Sequence, residues 1–293
     1  MLEFIYIISE QVLIHLPLMC AAYISFSLLK VPDLSLESAY VAGALYATVL
    51  MRYLPLHLQT VSLLGLILIS LMAGALVGCM SGMLTRFLSI PHLLSAIIIN
   101  GMFWGINQIV AGAYISLSGM KNVLIYDLIA RHPELPLLIV IGLSVVALLI
   151  FLCRTQLCYA WAVFGSSPHF FRYYGISTHY VFIAGLCVSN ALAGLTGYLF
   201  AQSTGFADIN MGVSKTLFCI TALMLGKTVC ITKKPIMPLI PIIGCILYFV
   251  MQQLLLKVGF NLKYFTAVQA LLVLIILIMH ARKTSNTIDH LGV

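Results

Sequence analysis

The chain of 293 residues is 62% hydrophobic, and only 8% of its residues carry a charge. Soluble globular domains carry about 25% charged residues, so this composition excludes a water-soluble domain and predicts an integral membrane protein. The net charge of +7 comes from Lys and Arg residues that stand singly or in pairs between apolar stretches. That distribution is typical of residues that set membrane topology, and it does not indicate a nucleic-acid-binding surface.

Nine apolar stretches follow one another along the chain, and most are long enough to cross a hydrocarbon core, which takes roughly 20 apolar residues. They cover approximately residues 4–29, 34–53, 61–84, 93–115, 136–153, 178–201, 212–231, 236–256 and 262–280. We therefore predict an all-α fold, a polytopic transmembrane bundle of about nine spans. The spans form a single domain over residues 1–280, and residues 281–293 are predicted to be a polar cytoplasmic tail.

The orientation is predicted from the Lys and Arg residues, which are commoner in cytoplasmic loops. An external N-terminus places more of them inside, namely Lys30, Arg86, Arg154, Arg172, Lys227, Lys233, Lys234, Arg282 and Lys283. The others then fall outside, namely Arg52, Lys121, Arg131, Lys215, Lys257 and Lys263. We therefore predict an external N-terminus, a cytoplasmic C-terminus and a cytoplasmic segment 154–177.

The second predicted span begins just after Pro32 and carries Asp33, Ser35 and Glu37 around its start. Asp33 or Ser35 can cap the helix, and an acid in the first turn suits the helix dipole. Two interpretations of Glu37 stay open. It either favours the helix start or lies in a pathway, where its carboxylate meets the ammonium group of a substrate.

The third and fourth spans carry two different patterns. Gly74, Gly78 and Gly82 recur at four-residue spacing, which predicts close packing against another helix. In the fourth span, the polar and aromatic side chains at i, i+4 and i+7 share one helix face, and they are Asn100, Trp104 and Asn107. Two amides beside an indole either line a path for an amphipathic small molecule or hydrogen-bond to neighbouring helices.

The segment 154–177 separates two spans but is not a plain polar loop. After a break at Gly165, Ser167 can cap a short helix and Pro168 can occupy its first position. Gly175 suits the end of that helix. The residues that we expect to function here are Gly165, Pro168, Phe170, Phe171, Arg172 and Gly175. Exposed aromatic residues on such a helix indicate either a docking element for another protein or a helix lying on the membrane surface.

Residues 207–212 read ADINMG and are predicted to form an outer turn that leads into the seventh span. Asp208 and Asn210 suit a turn or a helix cap, and a role in an outer gate is the other interpretation. The sequence contains no GxSxG, HExxH or Walker A motif, so we expect neither an enzyme nor a metal site.

Four stretches of the chain resemble the branched-chain amino acid and sugar permease superfamily of ABC importers. They are VPDLSLESAYVAGAL at 31–45, IPHLLSAIIINGMFWGINQIVAGAYISL at 90–117, the segment 154–177, and SNALAGLTGYLFAQSTGFADINMGV at 189–213. In the third of these stretches, Gly165, Pro168, Gly175 and Ile176 stand in the expected places. The chain is most similar to amino-acid-type permeases of the subgroup that includes tryptophan and tyrosine uptake systems.

The resemblance implies a permease subunit, without an ATPase of its own, that moves a small polar solute such as an amino acid across a bacterial cytoplasmic membrane. Two permease copies, expected to be a homodimer, would form the pathway. Cytoplasmic ABC ATPase subunits, which bind ATP and Mg, would dock on the short helix after Pro168, and an extracytoplasmic substrate-binding protein would deliver the solute. No cofactor is expected on this chain, and its other contacts are with membrane lipid.

The sequence also departs from the family pattern. Ala162 stands where an arginine is usual, Lys215 and Thr216 stand where the family is more apolar, and Lys227 stands where an acid is common. The alternative function is an ion-coupled secondary transporter. Such a protein needs an acid deep in a span, and the sequence places no Asp or Glu deep within any predicted span.

Overall fold

The computed structural model describes residues 2–53, 63–117, 134–167, 170–171, 177–230 and 238–259, together with 264, 266–271, 273–275 and 278. Within these ranges the regular secondary structure is helical apart from one pair of three-residue strands. The expectations for Pro168, Arg172, Gly175 and the tail 281–293 fall outside the described residues.

The helices are α1 (Leu2–Ala22), which continues as a π-helical turn (Tyr23–Leu28), α2 (Ser35–Tyr53), α3 (Leu63–Phe87), α4 (His92–Ala111), α5 (Glu134–Arg154), α6 (Gln156–Ser166), α7 (Thr178–Thr204), α8 (Lys215–Val229) and α9 (Leu239–Lys257). A shorter apolar helix, α10, covers Thr266–Ile275. Strands β1 (Tyr114–Ser116) and β2 (Phe206–Asp208) pair antiparallel, with Ile115 opposite Ala207.

Six of the described helices are long and apolar enough to cross a membrane. They are Glu3–Leu28, Leu63–Phe87, His92–Ala111, Pro136–Arg154, Thr178–Thr204 and Leu239–Lys257. Helix α2 is less apolar because it carries Glu37 and Arg52, and α8 has only 15 residues. The predicted polytopic, all-α membrane fold is confirmed. The predicted count of about nine spans is not, because length and composition identify only six among the described helices.

Helix α7 lies at the centre of the bundle, where glycines let α3 approach it closely. A Cβ atom added to Gly74 would overlap the carbonyl group of Asn190, and one added to Gly78 would overlap that of Leu186. The other face of α3 is exposed through large apolar side chains at four-residue spacing, namely Leu64, Leu68, Met72 and Leu76. One face of α3 therefore packs on α7, as the glycine spacing predicts, and the opposite face is suited to lipid.

The two ends of the bundle are identified by contacts between helix termini. Glu10 in α1 accepts a hydrogen bond of 3.0 Å from Ser203, so the N-terminal half of α1 lies at the end where β1 and β2 pair, which we call the strand end. At the opposite end, the guanidinium of Arg86 lies 4.4 Å from the ring centroid of Phe182 and 5.1 Å from that of Phe164 in α6. We call this the α6 end. The N-terminal half of α1 and helix α6 thus lie at opposite ends of the bundle, which is the arrangement that the predicted topology requires.

Candidate functional site

Helix α2 begins inside the bundle, at a cluster of buried polar side chains. The carboxylate of Asp33 is fully buried and accepts hydrogen bonds from the backbone N–H of Ser35 at 2.9 Å and from the amide of Asn190 at 2.8 Å. His92, the first residue of α4, places its Nε2 atom 3.4 Å from the same carboxylate. Asp33 therefore caps α2, as the sequence predicts, and also joins its start to α4 and to the middle of α7.

The sequence gives no sign that Asp33 lies so deep, because the residue stands between two predicted spans. Its carboxylate oxygens are occupied by the polar partners of this cluster, and buried polar groups in native structures are normally satisfied in this way. The cluster therefore has a structural role, in that it holds the first turn of α2 at the level of Asn190.

The first turn of α2 also meets the first turn of α8. The carboxylate of Glu37 accepts a hydrogen bond of 3.2 Å from the backbone N–H of Thr216, and Gly212 packs against the carbonyl oxygen of Glu37. A carboxylate at a helix N-terminus is stabilised by the helix dipole. Glu37 therefore serves two helix starts at once, its own and that of α8.

A cavity of about 380 Å³ opens beside these two helix starts. Its polar lining consists of Glu37, Ser38, Asn100, Trp104, Asn107 and Asn210. Its apolar lining includes Val41, Ile97, Ile209 and Val213. We call it the first cavity. The pathway residues predicted on α2 and α4 thus line a single cavity, together with Asn210 from the predicted outer turn.

The two amides on α4 differ in their contacts. The side-chain oxygen of Asn100 accepts a hydrogen bond from the hydroxyl of Ser38, so this amide joins α4 to α2. The side chain of Asn107 is buried, and its Oδ1 atom has no hydrogen-bond partner among the described residues. Trp104 is 55% exposed beside them. Asn100 therefore connects helices while also facing the cavity, whereas Asn107 offers an unused acceptor.

Asp208 does not line the first cavity. Its carboxylate instead accepts a hydrogen bond of 2.6 Å from the backbone N–H of Asn210, in the turn that follows β2. This is the local side-chain bond by which Asp residues stabilise turns. The turn geometry expected of residues 207–212 is therefore present, and it directs the chain from the strand end toward the N-terminus of α8.

At the α6 end, Gly165 lets α6 pack against the π-helical turn, because a Cβ atom there would overlap the carbonyl oxygen of Leu28. The indole N–H of Trp161 donates a hydrogen bond of 3.1 Å to the carbonyl oxygen of Val181. Beyond α6, Phe171 is buried, while Phe170 is 45% exposed. Of the aromatic pair predicted for docking, Phe170 is therefore the more accessible side chain.

Comparison with known proteins agrees with this architecture. Residues 18–277 match the family described as branched-chain amino acid transport system / permease component. An uncharacterized protein of Rickettsia prowazekii is 32% identical over 260 residues, which cover 86% of this chain and 89% of the relative. A protein of Clostridioides difficile named tyrosine transport system permease protein is 28% identical over 222 residues, which cover 75% of this chain and 72% of the relative. No solved structure matches.

Proposed function

Because this chain belongs to the permease component family of branched-chain amino acid transport systems, we propose that its first cavity is part of the path by which an ATP-driven importer moves an amino acid. The first cavity is the observation that carries the proposal. It gathers Glu37 and Asn107 beside Trp104 within a bundle whose outer surface is apolar. Polar side chains at such a depth face the interior and serve substrate or ion pathways.

We propose an aromatic amino acid as the substrate. The relative from Clostridioides difficile is named a tyrosine transport permease, and the first cavity offers a matching set of groups. The carboxylate of Glu37 suits a substrate ammonium group, the free Oδ1 atom of Asn107 suits a further donor, and the exposed face of Trp104 suits an aromatic ring.

We infer a topology of nine crossings with an external N-terminus. Successive spans of a membrane protein cross in opposite directions. The six long apolar helices meet this requirement only if α2 and α8 also cross. In each of these two crossings, the chain that leads into the helix covers part of the membrane thickness. Helix α10 would add the ninth crossing and bring the C-terminus inside. In this topology the strand end is external, and the α6 end is cytoplasmic.

We place the partners at these two ends. ABC ATPase subunits, which hold ATP and Mg, would dock at the α6 end on the segment with Gly165, Pro168, Phe170, Phe171, Arg172 and Gly175. A substrate-binding protein would meet the strand end, where the turn of Asp208 and Asn210 shapes the outer gate. A second copy of the chain would cover the exposed face of α4 that carries Ile97 and Trp104. The setting would be a bacterial cytoplasmic membrane.

Copurification tests this assignment. The tagged chain is extracted in mild detergent from cells that carry its natural partners, and the proteins that accompany it are identified by mass spectrometry. We expect a Walker A ATPase, and Phe170→Ala together with Arg172→Ala should release it. The matched control is Tyr53→Ala, because Tyr53 is an exposed aromatic residue near the strand end. Intact chain without any ATPase would contradict the proposal.

A further inference from the structure

A second cavity, of about 280 Å³, lies on the other side of Val213 from the first. It is lined by side chains from α1, α7, α8, α9 and α10. Its polar lining includes Lys215, His15, Ser214, Gln252 and Gln269. Val213 borders both cavities, so the segment that enters α8 separates them.

Lys215 brings a positive charge into this cavity. Its ammonium nitrogen lies 3.4 Å from Nε2 of His15 and over the rings of Phe200 and Tyr40, at 4.6 and 5.1 Å from their centroids. Among the described residues, no carboxylate oxygen lies within 4.0 Å of this ammonium. Because His15 stands near the middle of α1, Lys215 does not extend toward the strand end as a lysine at a membrane interface would.

His15 supports the ammonium without cancelling its charge. The imidazole is buried, and its Nδ1 atom lies 3.0 Å from the carbonyl oxygen of Gln11. Because a carbonyl oxygen can only accept a hydrogen bond, Nδ1 must carry the proton and donate it. The other nitrogen of a neutral imidazole is then an acceptor, and it is the one that faces Lys215. The lysine is thus held by a neutral partner and by aromatic faces, which leaves its charge available to an anion.

Much of the remaining wall of the second cavity is aromatic, and this wall also carries two unused acceptors. The rings of Phe218 and Phe249 lie 5.5 and 5.1 Å from that of His15, and Tyr248 lines the same wall. The side-chain oxygens of Gln252 and Gln269 have no hydrogen-bond partner among the described residues, and Gln269 is only 5% exposed. A buried carbonyl without a donor is unfavourable, so both oxygens are suited to a donor on a ligand.

The backbone beside Lys215 is strained. Ser214 has φ of 67° and ψ of 8°, which is the left-handed region that non-glycine residues seldom adopt. Strained residues of this kind persist where the surrounding structure fixes them, and they cluster at ligand sites. Ser214 immediately precedes α8, and its left-handed backbone conformation directs the side chain of Lys215, the first residue of α8, toward the second cavity.

We propose that the second cavity is a separate binding site for a zwitterionic amino acid with an aromatic side chain. Its carboxylate binds the ammonium of Lys215, its ring packs among the aromatic walls, and its ammonium group donates to Gln252 and Gln269. The choice of an amino acid rests on the proposed function, whereas the anion site rests on Lys215 and its surroundings. Ligand in this site fixes the start of α8, and the segment that leads into α8 borders the first cavity through Gly212 and Val213.

Binding to the purified full-length chain in nanodiscs tests the proposal without any partner protein. The probes are L-tyrosine, 3-(4-hydroxyphenyl)propionate, which lacks the ammonium group, and tyramine, which lacks the carboxylate. We expect the first two to bind by calorimetry, and tyramine to leave the binding of the propionate unaffected. Lys215→Met should weaken binding of the propionate by about tenfold or more, which is the effect of losing one charge-assisted hydrogen bond, and Lys215→Arg should largely restore it.

Two controls separate this site from the first cavity and from a general effect of charge. Lys257→Met removes another lysine near an aromatic ring, that of Phe4 at 5.9 Å, and it should leave binding of the propionate unchanged. Asn107→Ala alters the first cavity on α4 rather than at the start of α8, and it should also leave propionate binding unchanged. A failed importer assignment would therefore not affect this result. Propionate binding that is equal in wild type and Lys215→Met overturns the proposal. Lys215-dependent binding of laurate in the absence of any tyrosine binding also overturns it, in favour of a lipid-anion site.

Discussion

The carboxylate of Glu37 in α2 accepts a hydrogen bond from the backbone N–H of Thr216 in α8, although 179 positions separate the two residues in the sequence. Both residues stand in the first turn of their helices. The positive ends of two helices therefore converge inside the bundle on one carboxylate. The first cavity lies directly beside this contact, so a change at Glu37 should affect both the pathway and the start of α8.

Glu37→Gln and Glu37→Ala should separate these two effects. Glutamine removes the charge, so Glu37→Gln should lower tyrosine uptake. Because glutamine keeps an oxygen that can accept the hydrogen bond from Thr216, this variant should have little effect on thermal stability. Alanine leaves the start of α8 uncapped, and the loss of a cap typically lowers the free energy of unfolding by about 0.5–2 kcal/mol. Uptake by transport-competent cells and thermal unfolding in dodecyl maltoside measure the two quantities. Wild-type uptake by Glu37→Gln would show that the charge has no part in transport.

Asn190→Ala should destabilise the fold because it removes a donor from the buried carboxylate of Asp33. A hydrogen bond to a charged group contributes about 1.5–3 kcal/mol, and thermal unfolding of the purified chain measures the loss. The neighbouring Ser189 provides the matched control, since its hydroxyl donates to the neutral carbonyl oxygen of Ala21 at 2.8 Å. Ser189→Ala should cost only about 0.5–1.5 kcal/mol. Equal losses for both variants would contradict the role assigned to Asp33.

Gly74→Ala should also lower stability, because its new methyl group would overlap the carbonyl oxygen of Asn190 in α7. Overpacking of this kind costs about 1–3 kcal/mol. Gly65→Ala is the control on the same helix, where an added Cβ atom meets no other atom within 4 Å. That substitution should be neutral or stabilising by about 0.5–1 kcal/mol. A similar unfolding temperature for both variants would argue against close packing of α3 on α7.

Asn107→Ala should lower tyrosine uptake while leaving the fold intact. Its Oδ1 atom has no hydrogen-bond partner among the described residues. Removal of this atom therefore breaks no hydrogen bond between helices, but it takes away an acceptor that a substrate can use. Ser95→Ala is the comparison, because Ser95 is a buried residue of the same helix outside the lining of the first cavity. We expect a raised apparent KM for Asn107→Ala only. An unchanged KM for both would remove Asn107 from the pathway.

Much of the helical framework follows directly from the apolar runs of the sequence. The second predicted span, 34–53, corresponds to α2 at Ser35–Tyr53. The fourth was predicted to reach residue 115 but ends at Ala111, because Gly112 adopts a positive φ of 70° and the chain continues into β1. Helical spacing also places Asn100, Trp104 and Asn107 on one face, as the structure shows for the lining of the first cavity.

The contacts that assemble the interior depend on long-range packing, and no local pattern predicts them. Asp33 and Asn190 are 157 positions apart, and each taken alone suggests only a cap or a helix contact. Lys215 near the outer start of a predicted span suggests an interfacial lysine. It is the strained turn at Ser214 and the position of His15 in α1 that place it inside the bundle.

Uptake in a defined system tests whether this chain forms the path of an ATP-driven amino acid importer. The chain is reconstituted into liposomes with its copurified ATPase, radiolabelled L-tyrosine and the binding protein are supplied on the external side, and ATP is enclosed within. We predict tyrosine accumulation that requires ATP hydrolysis, persists without proton or sodium gradients and falls in Glu37→Gln. Accumulation that follows an ion gradient and does not depend on ATP would instead show an ion-coupled secondary transporter.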